Sequence, residues 1–154
     1  MITRFQQFLE NKAQEEVKET LEKLPKSHQK LVKGFQFKFF GDCTLKGSDE
    51  NIGMIYLNDK KNKKIHIASP WNYGREFTVL HEIAHLVYEK YMANNQELKN
   101  KWKKIVDKTK NKLDQPAEEL WCHAYANYFA KNKIVIHTHP EWENFMKEFI
   151  KNHS

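Results

Sequence analysis

The feature that most constrains this chain is the stretch Phe77-Thr78-Val79-Leu80-His81-Glu82-Ile83-Ala84-His85-Leu86-Val87-Tyr88, an apolar run that contains His-Glu-x-x-His. Ile83, Ala84, Leu86 and Val87 make the segment a buried helix. On a helix, residues four apart share a face, so His81 and His85 can direct two imidazole nitrogens at one metal ion. Glu82 lies beside that pair, where a carboxylate can take a proton from water held by the metal, the general-base task of metal-assisted hydrolysis. A core helix with two histidines and a glutamate needs partners for all three, and a metal supplies them. The alternative is a helix whose two core histidines are satisfied without metal.

The chain has 154 residues, which fits one domain with a real hydrophobic core. Hydrophobic residues at 40% and aromatics at 13% exclude a disorder-class composition. The N-terminus lacks an apolar signal region and no later run reaches transmembrane length, so the expectation is a soluble, cytoplasmic protein with no membrane partner. Cys43 and Cys122 have no metal-type pairing in sequence and are expected as free thiols. The net charge of +6 permits nucleic acid as a partner. It does not indicate one, because the lysines alternate with Glu and Asn as solvated helix faces.

Along the chain, Ile2, Phe5, Leu9, Ala13, Val17, Leu21 and Leu24 recur at helical spacing, and Pro25 ends that helix. Lys26 to Lys33 form a second short helix that stops at Gly34. The period then changes to two at Phe35, Phe37 and Phe39, which predicts a strand. Met54 to Leu57 and Lys64 to Ala68 read as two more, joined by the polar turn Asn58 to Lys63. The expected fold class is α+β: N-terminal helices over 1–33, a small antiparallel sheet of about three strands over 34–69, and a helical metal-binding part over 75–152. The motif helix is expected to start near Arg75, after the connector with Trp71 and Tyr73. Asn95 to Leu113 form a lysine-rich helix with Leu98, Trp102 and Ile105 on its apolar face. Asp114 is expected to cap the next helix, which opens with Pro116 and is nearly all apolar from Leu120 to Ala130. Thr138-x-x-Glu141 is expected as a capping box for a last helix with Trp142, Phe145, Met146 and Phe149 on one stripe.

A catalytic zinc site needs a third protein ligand, and the helix after Pro116 is its best source. Glu119 and His123, four apart, share a face with Cys122, whereas Glu118 lies about 100° away and is expected to be exposed. Zinc accepts carboxylate and imidazole alike, so these residues leave Glu119 and His123 as alternatives.

Glu119-Leu-Trp-Cys-His-Ala-Tyr-Ala-Asn-Tyr resembles the Glu-Phe-Phe-Ala-Glu-Ala-Phe-Ala-x-Tyr segment of the anthrax lethal factor-like catalytic domains and the related clostridial Pro-Pro endopeptidases. These are zinc metallopeptidases of gluzincin type. The resemblance spans about residues 52 to 150. It implies His81, His85 and Glu119 as zinc ligands, Glu82 as base, and His123 where that family has a second glutamate around the metal. The family's oxyanion-stabilising tyrosine, seven residues before the ligand glutamate, is replaced here by Lys112. That role therefore falls among His123, Tyr73, His66, His137 and His139. Ala126-Asn127-Tyr128-Phe129-Ala130 is also similar to a segment of the ImmA/IrrE-like metallopeptidases, which cleave DNA-bound repressors, and in that alignment His123 is the ligand.

The expectation is thus a zinc-dependent endopeptidase acting on a protein or peptide in extended form, with the Lys64 to Ala68 strand either the edge along which substrate lies or an ordinary inner strand. Two rivals are a catalytically silent metallopeptidase-like binding module and a DNA-associated protease of ImmA/IrrE or SprT type.

Overall fold

The computed structural model describes residues 4–40, 63–68, 74–109, 115–134 and 138–154. Among them run α1 (Arg4–Glu22), α2 (Lys26–Val32), β1 (Gln36–Phe40), β2 (Lys64–Ala68), α3 (Arg75–Tyr91), α4 (Gln96–Lys108), α5 (Ala117–Phe129) and α6 (Pro140–Asn152). The fold is α+β and mostly helical. No described helix is long and apolar enough to cross a membrane.

The sheet differs from expectation. β1 and β2 pair in parallel, Gln36 opposite Lys64 and Phe40 opposite Ala68. In an antiparallel three-strand meander, the first and third strands run in the same direction with the second between them. Here they are bonded directly, Gln36 N–H donating to Lys63 O at 2.8 Å, so no strand lies between. The expected Met54–Leu57 strand lies outside the described residues. β2 lies where the sequence predicts a strand, and its Ile65 and Ile67 are fully buried in the core shared with the helices.

That layer is built on α3 and α5, which pack along one another more extensively than any other helices. Lys131 N–H at the end of α5 donates to Glu76 in the first turn of α3 at 2.7 Å, while Glu118 in the first turn of α5 meets His85, so the two run antiparallel. Leu80, Ile83, Ala84 and Val87 face Trp121, Tyr125 and Ala126 in a core with almost no exposure. Trp102 anchors α4 by donating its indole N–H to Ala117 O at 2.7 Å. α1 buries Ala13 and Val17, and Leu24 just beyond its end is buried with them, but Phe5, at the other end of the expected stripe, is exposed. Arg75–Glu16 and Lys23–Glu76, both at 2.9 Å, tie α1 to the start of α3.

Two helix starts differ from the sequence reading. The N-cap of α5 is Pro116, and Asp114 lies outside the described residues. α6 is capped by His139, whose ring accepts from Glu141 N–H, because Pro140 takes the first helical position. Thr138 is occupied elsewhere: it accepts from the Asn127 side chain at 2.9 Å and donates to Ile134 O at 3.0 Å.

His28, fully buried on α2, joins the ends of the chain. Its Nε2–H donates to His153 O at 2.5 Å, and the Tyr125 hydroxyl donates to its Nδ1 at 2.8 Å. Burial lowers the His28 pKa, outweighing the His153 carbonyl. The unfolded chain therefore binds a proton that the folded chain refuses, and stability is lost as pH falls from about 6.5 through the folded value. Denaturant unfolding across that range should show this loss, about 1.4 kcal/mol per unit of depression. His28→Gln should flatten the slope even where it lowers stability overall.

Candidate metal centre

Gly74 sits at φ 87°, a left-handed conformation that costs glycine nothing, and α3 starts on the next residue. From Arg75 the helical period carries Phe77, His81 and His85 along one face, one turn apart. The His81 and His85 rings stand 5.0 Å apart between centroids, at 84°.

The first turn of α5 places Glu119 between them. Glu119 Oε2 lies 3.0 Å from His81 Nε2, and Oε1 lies 3.1 Å from His85 Nε2. One candidate ligand atom from each of the three residues lies within 4.8 Å of the others, and His123 is not a member of this group. Ligand atoms around an ion with bonds of 2.0–2.1 Å sit about 3.3 Å apart in a tetrahedron, so the spacing fits. The His85 contact adds a second sign of fit. Its Nε2 is buried and makes no hydrogen bond despite being 3.1 Å from a carboxylate oxygen, so the nitrogen is not aimed at that oxygen. His81, His85 and Glu119 can hold a metal ion.

Their electrostatics suit a cation. Burial would raise the Glu119 pKa, but the two imidazoles outweigh it and hold the carboxyl far below its ordinary range. Burial lowers His81, only partly offset by Glu119. It lowers His85 too, but the Glu119 and Glu118 carboxylates more than compensate and the net shift is upward.

Glu82 points into the same layer. It is 2% exposed, and its Oε2 has no hydrogen-bond partner among the described residues. Burial first, and the Glu119 charge second, raise its pKa well above the usual carboxylate range. A dry carboxyl of this kind is suited to exchanging protons with a reacting group.

No family model, curated protein or solved structure matches this chain. The chemistry of the site rests on its own donor atoms.

His123 is buried on α5 and stacks on Phe77 at 5.8 Å and 20°, with its ring 4.5 Å from that of His81. Of the other expected oxyanion donors, His139 is used as the α6 cap, and Tyr73, His137 and the His66 side chain lie outside the described residues, as does Lys112 at the position of the family's tyrosine. The sequence placed Glu118 away from the site. Its side chain is indeed half exposed, yet Oε1 lies 3.4 Å from His85 Nδ1. Cys122 Sγ lies 3.6 Å from the same nitrogen. The sequence did contain a signal: a helix whose first turn supplies a ligand also brings the preceding residue to that level of the partner helix.

Proposed function

We propose that this protein is a zinc-dependent endopeptidase of gluzincin type, with His81, His85 and Glu119 as ligands and Glu82 as general base. The observation that carries this reading is the Glu119 carboxylate lying between two imidazoles of one helix, beside a buried Glu82. Two histidines and a carboxylate are the donor set of open catalytic zinc sites, which keep a fourth position for water or substrate. Zinc held there supplies Lewis acidity, polarising the scissile carbonyl and making water nucleophilic at neutral pH. Glu82 takes the proton from the attacking water and passes it to the leaving amine. Among the described candidates, the packing of His123 against His81 supports His123 as the residue that steadies the developing oxyanion.

Substrate binding follows from the sheet. Gln36 bonds Lys63 O, so in the parallel ladder the backbone groups of Lys64, His66 and Ala68 face the edge of β2 away from β1. An extended peptide adds along that edge, held by main-chain hydrogen bonds. Polyanion binding gains less support: Lys101 and Lys108 of α4 are paired with Glu148 and Glu141 of α6.

The test is a proteome-derived peptide library incubated with the zinc-loaded protein, with new termini read by mass spectrometry. Cleavage that stops with a chelator and returns with zinc is the expected result. A zinc-loaded protein that cuts nothing would leave a metal-binding module in place of an enzyme.

A further inference from the structure

We propose that Glu118 is a positioning residue, whose carboxylate holds His85 in the tautomer that presents the Nε2 lone pair to the metal. The proposal rests on the zinc reading and adds to it a residue outside the ligand set.

The tautomer of His85 is set by what faces its Nδ1. A neutral imidazole carries one N–H, and coordination through Nε2 requires that N–H to be at Nδ1. Two groups approach Nδ1: Glu118 Oε1 at 3.4 Å and Cys122 Sγ at 3.6 Å. They favour opposite tautomers. An ionised carboxylate only accepts, so it selects Nδ1–H and leaves Nε2 bare. A thiol can donate, and an S–H aimed at Nδ1 would put the ring proton on Nε2, where it blocks a metal.

Cys122 is completely buried and meets Nδ1 only through a thiol, a weak donor and a weak acceptor. An S–H bond is weak, whereas N–H to a carboxylate is charge-assisted. Glu118 therefore wins over Cys122 at Nδ1, and Glu119 Oε1, although 3.1 Å from Nε2, makes no hydrogen bond there that would hold the proton on that side. At 3.4 Å the contact is long, and coordination at Nε2 makes Nδ1–H a stronger donor, so the pair tightens when metal is bound. The support is one-sided. His81 Nδ1 is buried with no hydrogen-bond partner among the described residues, so the carboxylate behind His85 supplies the outer hydrogen bond at this site.

The test compares the full-length natural protein with Glu118→Ala and Glu118→Gln in two readouts. In the metal-free state, two-bond nitrogen–proton correlation spectra at alkaline pH report which His85 nitrogen carries the proton. Zinc affinity is then measured by competition with a chromophoric chelator.

The natural protein should show the Nδ1–H form. Glu118→Ala should shift His85 toward Nε2–H and weaken zinc binding about 10–100-fold. In Glu118→Gln the amide oxygen can accept the same bond, so it should keep the tautomer and lose less than about tenfold. Natural tautomer and affinity in Glu118→Ala would overturn the proposal. So would Glu118→Gln matching Glu118→Ala in both readouts, since the effect would then be one of charge. Failure of the natural protein to bind zinc would defeat the endopeptidase reading, while the metal-free spectra would still decide what Glu118 does to His85.

Discussion

Glu82→Gln should lower peptide hydrolysis by about 10³-fold while zinc content stays at the natural level. The substitution keeps the shape and burial of the side chain and touches none of the three ligands. In the proposed mechanism, what it removes is the ability to take a proton from water and return it to the amine. Turnover should fall with little change in KM, because the lost interaction belongs to the transition state. A second consequence has the opposite sign. Burial raises the Glu82 pKa, so folding of the metal-free protein takes up a proton at pH values between the unfolded pKa and the higher folded one. Stability from this group is fully present below the unfolded value near 4.3 and lost as pH rises through the folded one. Metal-free Glu82→Gln should thus be more stable than the natural protein at pH 7, and the gain should vanish at pH 4. A variant that is inactive because it is unfolded would show neither the retained zinc nor the higher melting temperature.

Glu119→Ala should produce the larger change in metal binding. Loss of an outer hydrogen-bond partner costs a metal site about 10–100-fold in affinity, and loss of a ligand should exceed that. The metal-free protein should lose about 1–3 kcal/mol as well, because His81 Nε2 gives up its 3.0 Å hydrogen bond to the carboxylate in a buried setting. Glu119→Gln separates the two effects: the amide can still meet His81, so stability should recover more than zinc affinity. Calorimetric melts with and without zinc, run on both variants, check this directly.

The helices were legible in the sequence because α1, α4 and α6 carry an apolar stripe at helical spacing, while α3 and α5 are nearly continuous apolar runs long enough to be core helices. α3 begins at Arg75 as expected, and α4 is capped by Asn95, whose side chain accepts from Leu98 N–H. The meeting of His81, His85 and Glu119 was legible for the same reason: two buried helices carrying polar groups must satisfy them against each other. Strand pairing was not. Residues Phe37 and Ile65 say which face of a strand is buried, but its direction relative to a neighbour depends on the path of the long connection between them. The α6 cap was misread because Thr138 suits a cap by type, and only the fold reveals that Asn127 already claims its hydroxyl. Glu118 is exposed as expected; its contact with His85 Nδ1 was not legible, because a half-exposed carboxylate can still reach the outer nitrogen of a largely covered imidazole.

The most direct test of the account is zinc per chain, by elemental analysis after exhaustive dialysis, for the natural protein beside Glu119→Ala and His123→Ala. The account predicts about one zinc in the natural protein and in His123→Ala, and loss in Glu119→Ala. Loss in His123→Ala with retention in Glu119→Ala would contradict the ligand set. A natural protein that holds no zinc even after reconstitution would contradict the metal centre itself, leaving His81, His85 and Glu119 as a buried polar cluster of a binding protein.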